Sequence, residues 1–380
     1  MNRIKITLIA SIMATGIACS SSNSQVKTET SNALILKEAF QDRFYIGAAL
    51  NLDQIWERDQ DAITLVEQQF NSIVAENCMK SMYLQPREGE FNFKDADRFV
   101  AFGQKNNMQL IGHTLIWHSQ VPKWFFVDEN GQDVSRDVLI ERMRTHIHTV
   151  VSRYKGKITG WDVVNEAVLD NGEYRKSKFY EIIGEDFIPL AFRFTHEADP
   201  DAELYYNDYS TALPAKREGI IKVAKSILKA GLPLHGLGMQ EHQGLHHPDI
   251  DEVEKTILAF SETGASVMVT ELDISVLPHA RENMGAEVSE TYAYSKQLNP
   301  YPDGLPDSIM EKLGDRYISF FKLYLKHSDK ISRVTVWGVG DHDSWKNGWP
   351  IPGRTDYPLL FDRQFKPKPF VQEIVRLARG

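Results

Sequence analysis

The chain alternates short apolar segments with longer amphipathic segments, and this alternation limits its possible folds more than any other feature. The short segments are candidate strands at residues 44–50, 72–76, 109–117, 158–166, 203–208, 236–242, 266–273 and 333–340. Most of them are continuous apolar runs, which is the pattern of parallel strands covered on both faces. The alternation therefore favours an α/β fold built around a parallel sheet.

Amphipathic helices are expected between the strands. Two apolar stripes have the three- and four-residue spacing of a helix face, namely Leu139, Met143, Ile147 and Val150, and Leu313, Tyr317, Phe320 and Tyr324. Ser308 and Glu311 have the spacing of a capping box before the second stripe. Eight strand–helix repeats predict a single-domain (β/α)₈ TIM barrel over residues 34–380. A doubly wound open sheet is the alternative, but no glycine-rich phosphate loop follows the first strand.

Residues 1–18 have the organisation of a secretory signal peptide. A basic start is followed by an apolar run at residues 6–12, too short to span a membrane, and by small residues up to Cys19. The four residues that end at Cys19 are similar to a bacterial lipobox, although Gly16 stands where leucine is usual. We therefore predict an exported protein, either an outer-membrane lipoprotein on the periplasmic or surface face or a secreted protein. Residues 19–33 would form a flexible tether.

Charge and cysteine content exclude several functional classes. The formal net charge of -9 is dispersed along the chain, which is the opposite of the basic balance of nucleic-acid-binding proteins. The sequence contains no HExxH, paired CxxC or P-loop motif, so we predict neither a metal nor a nucleotide cofactor. Cys19 and Cys78 are the only cysteines, and lipidation of Cys19 would leave Cys78 without an intrachain disulfide partner.

Two glutamates lie where a barrel would place its site. Glu166 ends the fourth candidate strand in WDVVNEA, and Glu271 lies near the end of the seventh in VMVTELDIS. The carboxyl ends of barrel strands carry the active site, and burial of an unpaired carboxylate is costly. A single glutamate in such a position is more often a salt-bridge partner. Two that face each other across a barrel mouth form the pair that glycoside hydrolysis requires.

Further residues fit a site of this kind. Asp273 shares its strand face with Glu271, and His242 ends the neighbouring sixth strand. An imidazole between two carboxylates would orient Glu271 and keep it ionised. Tryptophans are common in cores, but their faces can also stack on sugar rings. Three of them lie at or just after strand ends, namely Trp117, Trp337 and Trp345.

The sequence from about Leu34 onward resembles glycoside hydrolase family 10, the (β/α)₈ xylanases. In chain order, GHTLIWHSQVPKW resembles the family's segment after strand three, WDVVNEA its acid/base segment, VTELD its nucleophile segment and VTVWGVGDHDSW its segment after strand eight. An asparagine–glutamate pair alone is shared by many related barrels, whereas four motifs in this order are specific. The resemblance implies a retaining endo-β-1,4-xylanase that acts on xylan and xylo-oligosaccharides without a cofactor.

The resemblance also implies roles for individual residues. Glu166 would be the acid/base, Glu271 the nucleophile, and His242 and Asp273 the support of the nucleophile. Asn165 would contact the sugar 2-hydroxyl. The implied substrate-binding residues are Glu76, Asn77 and Lys80 on the non-reducing side, His113, Trp117 and Gln120 after strand three, Asn207 facing the reducing-side sugar, Gln240 near the cleavage point, and Trp337 and Trp345 as walls.

Several positions depart from the family pattern. Ser81 stands where tryptophan is usual, Glu241 where a small residue is common, and Gly340 and the long irregular segment 277–306 also differ. These differences bear on which xylan decorations fit. The alternatives are another retaining β-glycanase, such as a cellulase or mannanase, and a non-catalytic xylan-binding protein.

The lipobox generates a prediction that is independent of the site. Cys19→Ala should leave glycanase activity intact but release the protein from membranes, because the lipid attachment point is lost. Fractionation of cells into membrane and soluble pools, followed by activity assays, measures this. Unchanged partitioning into the membrane pool would contradict lipidation at Cys19.

Overall fold

The computed structural model describes residues 35–278, 293 and 296–380, and its centre is a parallel barrel. The strands are β1 Tyr45–Leu50, β2 Ser72–Ala75, β3 Gln109–Trp117, β4 Gly160–Asn165, β5 Glu203–Asp208, β6 Gly236–Met239, β7 His242–Gly244, β8 Ser266–Ser275 and β9 Ile331–Val336. Both β6 and β7 pair with β8, so they are two parts of one barrel strand. The order β6-β5-β4-β3-β2-β1-β9-β8 closes through the β6–β8 pairing. The predicted eight-stranded barrel is confirmed, and the doubly wound alternative is wrong.

Helices surround the barrel. In the described residues they are α1 Leu36–Ala39, α2 Leu52–Ile55, α3 Gln60–Gln69, α4 Ser81–Leu84, α5 Lys94–Lys105, α6 Arg136–Arg153, α7 Lys178–Ile183, α8 Phe187–Ala198, α9 Pro214–Lys229, α10 Ile250–Ser261, α11 Asp307–Lys326 and α12 Val371–Arg379. Short 3₁₀ turns lie at Lys123–Phe125, Lys296–Leu298, Asp341–Asp343 and Trp345–Asn347. Among these described helices, none is long and apolar enough to cross a membrane.

The core lies mainly between the helices and the outer face of the barrel. Both predicted helical stripes are fully buried there, the first on α6 and the second on α11. Inside the barrel, a smaller apolar cluster comprises Ala49, Val74, Ile111, Tyr205, Met268 and Trp337. The interior of the barrel is therefore packed with side chains, and a site is expected at the carboxyl ends of its strands.

Local details of the sequence prediction need correction. The predicted strand 236–242 is interrupted at Gln240 and Glu241, and Glu241 has a left-handed backbone with φ 60°. The capping box at Ser308 is wrong, because α11 already begins at Asp307 and Pro306 at its N-cap provides no side-chain bond. The predicted signal peptide, lipobox and tether lie outside the described residues, as do residues 279–292 and 294–295 of the long segment 277–306.

Candidate active site

A cleft of about 370 Å³ opens at the carboxyl ends of the strands. It brings together most of the residues predicted from the sequence, namely Glu76, Asn77, Lys80, His113, Trp117, Gln120, Asn165, Glu166, Gln240, His242, Glu271, Trp337 and Trp345. Asp273 and Asn207 do not line the cleft, but each contacts a residue that does: Asn207 donates to Glu271, and Asp273 pairs with His242. Residues that are far apart in the sequence therefore meet because parallel strands end at one face.

Glu166 is the first residue after β4, and its backbone is left-handed, with φ 58°. Two hydrogen bonds from its own backbone fix this conformation: its N–H donates to the Asn207 carbonyl at 2.9 Å, and its carbonyl accepts from Arg175 at 2.9 Å. Its carboxyl accepts from Trp117 Nε1 at 2.8 Å and from Gln240 Nε2 at 2.9 Å.

The environment of Glu166 favours its protonated form. Burial raises the pKa of this carboxyl above its usual range, and the negative charges of Asp208 and Glu271 act in the same direction. The hydrogen bonds from Gln240 and Trp117 oppose the shift without reversing it. Glu166 therefore has the property of a general acid.

Glu271 on β8 is buried as deeply but experiences the opposite electrostatic environment. Asn207 Nδ2 donates to Oε1 at 2.7 Å, and His242 Nε2 lies 3.2 Å from Oε2. Burial alone would raise the pKa of Glu271, but the hydrogen bond from His242 and the charges of His113 and His242 lower it below the usual range. Glu271 is thus held as a carboxylate, the form required of a nucleophile.

His242 connects Glu271 to Asp273, as the sequence predicted. Its Nδ1 lies 2.8 Å from Asp273 Oδ2, which also accepts from Trp345 Nε1 at 2.8 Å. Burial disfavours the imidazolium, but Asp273 and Glu271 outweigh it and raise the pKa of His242 to about 9. The pKa of Asp273 is lowered, because His242 and Lys346 outweigh the effect of its burial. At neutral pH the ring is therefore a cation that donates to a carboxylate from each nitrogen.

Side-chain amides connect the two glutamates. Asn165 Oδ1 accepts from Asn207 at 3.1 Å and from Gln240 at 3.3 Å. Thr270 Oγ1 donates to Asn207 Oδ1 at 2.7 Å. The prediction that Asn207 faces a reducing-side sugar is corrected here, because its side chain has 0% exposure and orients Glu271 instead.

The strand-two and strand-three groups form one connected wall. Lys80 Nζ donates to Asn77 Oδ1 at 3.1 Å and to Gln120 Oε1 at 2.8 Å, and it lies 4.9 Å from the centre of the Trp117 ring. Burial lowers the pKa of Lys80, although nearby carboxylates oppose this. Burial raises the pKa of Glu76, and the charge of Lys80 opposes that shift. This wall presents polar groups suited to sugar hydroxyls.

His113 and the tryptophans line other parts of the cleft. His113 Nδ1 lies 2.9 Å from Asp162 Oδ2, and its ring meets the edge of Trp337 at 5.3 Å between centres. Trp345 is tilted against the His242 ring at 5.0 Å. The predicted indole walls are thus in the cleft.

Sequence reasoning missed four cleft-lining residues, namely Tyr209, Ser210, Lys346 and Trp349. Trp349 stacks on Trp345 at 5.0 Å with an interplanar angle of 18°. Tyr209 directly follows β5, and this strand-end position was a signal that could have identified it. Trp349 had no comparable signal, because the turn that carries it is irregular.

Glu241 points away from the cleft and into the protein. Its carboxylate accepts from Gln243 Nε2 at 2.6 Å and from Thr211 Oγ1 at 3.4 Å. Burial raises the pKa of Glu241 to about 7, opposed by these bonds and by the charges of Arg316 and His242. The sequence departure at this position therefore adds a titratable group behind His242.

A possible metal-ligand group lies elsewhere. Among the residues that the structure describes, ligand atoms of Asp59, His342 and Asp343 lie within 4.8 Å of one another. None of these three side chains lines the cleft.

The cleft contains two buried carboxyls whose pKa values are shifted in opposite directions, upward for Glu166 and downward for Glu271. Tryptophan side chains line the same cleft. On a (β/α)₈ barrel, this pairing defines a glycoside hydrolase, because protonation of the leaving oxygen and attack on the anomeric carbon need these two states.

The model of glycosyl hydrolase family 10 matches residues 35–377, and the chain belongs to that family. Endo-1,4-beta-xylanase A of Xylanibacter ruminicola is 51% identical over 346 residues, 91% of this chain and 94% of that protein. A solved GH10 endoxylanase from a sugarcane soil metagenome is 47% identical with a TM-score of 0.87, covering 90% of this chain and 99% of that one. A mutant solved in complex with xylotriose is 35% identical, with a TM-score of 0.80, over 90% of this chain and 99% of that one.

The electrostatics of the site predict which residue sets each limb of the pH–activity profile. His242→Ala should move the acidic limb of kcat/KM to higher pH, because loss of the imidazolium raises the pKa of Glu271. A higher pH is then needed to ionise the nucleophile. Initial rates across pH on xylo-oligosaccharides, whose sugar leaving group needs a general acid, measure both limbs of the profile.

Gln240→Met is the matched variant for the other limb. Gln240 lowers the pKa of Glu166 by donating to it, so its loss should raise that pKa and move the alkaline limb to higher pH. An acidic limb that stays in place in His242→Ala would contradict the assigned role of His242.

Proposed function

We propose that the chain is a retaining endo-β-1,4-xylanase with Glu166 as acid/base and Glu271 as nucleophile. The observation that carries this proposal is the opposite direction of the two pKa shifts within one cleft. The names of the relatives, which are endo-1,4-beta-xylanases, supply the substrate class.

In the first step, a Glu271 oxygen attacks the anomeric carbon of the sugar at the cleavage point. The bond from that carbon to the leaving oxygen breaks, and the oxygen takes the proton of Glu166. The Glu271 oxygens start from fixed positions, since Asn207 holds Oε1 and His242 holds Oε2. The product of this step is a glycosyl ester on Glu271.

In the second step, Glu166 acts as a base. It takes a proton from water as the water oxygen attacks the anomeric carbon, and the ester bond to Glu271 breaks. Both displacements invert the carbon, so the first-formed product keeps the β configuration. The pair should therefore have the retaining carboxylate separation of roughly 5–5.5 Å.

Xylan is favoured over glucan and mannan by the walls of the cleft. Glucan and mannan carry an exocyclic hydroxymethyl group that xylan lacks. Trp337 and Trp345 lie against His242, and Trp349 stacks on Trp345, so these indoles narrow the cleft and would exclude this group sterically. The xylotriose complex of a relative supports a xylo-oligosaccharide ligand.

The proposal extends to where the enzyme works. Xylan is a polymer outside the cell, so its hydrolysis suits the export signal and lipobox proposed for residues 1–18 and Cys19. The enzyme would then be a bacterial outer-membrane lipoprotein on the periplasmic or surface face, or otherwise a secreted protein.

The endo mode predicts the early products. Incubation with unbranched xylan should release mixed oligosaccharides first, while glucan and mannan should yield little or no product. Chromatography of products over time measures both. Release of xylose alone would reject the endo mode, faster cleavage of glucan or mannan would favour the rival β-glycanase, and no cleavage would favour a binding protein.

Glu166→Ala separates the two roles of the acid/base. When xylan is cleaved, the leaving group is a sugar alkoxide, which leaves poorly unless it is protonated. The leaving group of an aryl xylobioside with an acidic phenol is a phenolate, which leaves without protonation. The variant should lose activity on xylan by about 100-fold or more, which is the scale of general acid catalysis. The rate at which it first releases phenol from the aryl substrate should fall far less. Steady-state and burst kinetics on both substrates measure this.

Azide tests the second step, because this anion needs no general base. With Glu166→Ala, added azide should speed turnover of the aryl substrate and yield a β-glycosyl azide. Glu271→Ala is the control, and it should lose activity on both substrates. Equal losses in Glu166→Ala on xylan and the aryl substrate, with no response to azide, would rule out the assignment.

A further inference from the structure

Tyr83 adds an exposed aromatic ring beside the cleft, and the chemistry described above does not use it. It lies on α4, the short helix after β2, and it is 42% exposed. Exposure alone carries no argument, since scattered apolar side chains are normal on protein surfaces. What distinguishes Tyr83 is its direct contact with the wall of the cleft.

Gln120 makes this contact. Its Nε2 donates to the Tyr83 hydroxyl at 3.3 Å, while its Oε1 accepts from Lys80 at 2.8 Å. The backbone N–H of Met82 also donates to the Gln120 carbonyl, at 3.1 Å. The segment after β3 and the helix that carries Tyr83 are thus held together, and the ring has a defined position.

A series of contacts leads from the cleavage point to this ring. Trp117 bonds to Glu166, Lys80 lies over the Trp117 ring, and Gln120 bonds to Lys80. Tyr83 contacts Gln120, the last cleft-lining member of this series, but does not itself line the cleft, so it lies at the outer margin of this wall. A chain bound along this wall would next reach the Tyr83 ring.

We propose that Tyr83 is a platform for a third xylose unit on the non-reducing side of the cleavage point. This inference rests on the proposed function. A sugar ring has apolar C–H faces and polar hydroxyl edges, which match the face of a tyrosine and the amide and hydroxyl groups at its rim. Tyr83 is therefore a specificity-determining residue that favours longer chains.

Aryl glycosides of two lengths test the proposal, because release of the phenol fixes the cleavage point. An aryl β-xylotrioside places one more xylose on the non-reducing side than an aryl β-xylobioside. In Tyr83→Ala, the ratio of kcat/KM for the trioside to that for the bioside should fall about fivefold, the scale of one aromatic contact. Tyr83→Phe keeps the ring and should keep a ratio close to that of the wild type.

Tyr45→Ala is the matched control. Tyr45 is 45% exposed but begins β1, at the opposite end of the barrel from the cleft, so this variant should keep the wild-type ratio. An unchanged ratio in Tyr83→Ala would overturn the platform. A loss in Tyr83→Phe equal to that in Tyr83→Ala would also overturn it, because the hydroxyl and not the ring would then matter. Wild-type protein that releases phenol from neither substrate would instead overturn the proposed function.

Discussion

Carboxylates buried together at one end of the barrel are the constraint on which the rest of the site depends. Burial disfavours ionisation of Glu166, Glu271 and Asp273 alike. Their final states differ because the compensating partners differ. The His242 imidazolium lies between Glu271 and Asp273, whereas Glu166 receives only neutral donors. The histidines beside Glu271, His242 above all, thus separate an acid with a raised pKa from an ionised nucleophile.

This placement requires unusual backbone at strand ends. Glu166, Gln120 and Glu241 are non-glycine residues with φ of 58°, 45° and 60°, a region that costs L-residues roughly 1–2 kcal/mol each. Each is held by a backbone bond to a different segment: Glu166 to Asn207, Gln120 to Met82 and Glu241 to Asp273. The parallel barrel supplies these neighbours, because all strand ends converge on one face. The strain is therefore distributed over a rigid scaffold and positions side chains that face the cleft or support it.

The sequence predicted those features that depend on regular periodicity or on a strand end. The barrel, both helical stripes and the positions of Glu166 and Glu271 follow from apolar runs and their termini. The break between β6 and β7 could not be predicted, because a left-handed Glu241 has no local signal. The same limit applies to Asn207: a strand-end position does not reveal whether an amide faces the cleft or supports a neighbour behind it. Trp349 was missed because it lies on an irregular turn, where no repeat fixes its direction.

Glu241 shows how a departure from the family pattern can be accommodated. A charge inserted beside His242 could disturb the network, but the left-handed backbone turns this side chain inward, where Thr211 and Gln243 donate to it. Its pKa of about 7 means that its charge is partial near neutral pH. When ionised, it adds to the negative field that stabilises the His242 imidazolium. When protonated, it leaves Asp273 and Glu271 to hold that proton, and they contact the ring directly. The network therefore tolerates both states of Glu241, because Asp273 and Glu271 on β8 are the dominant partners of His242.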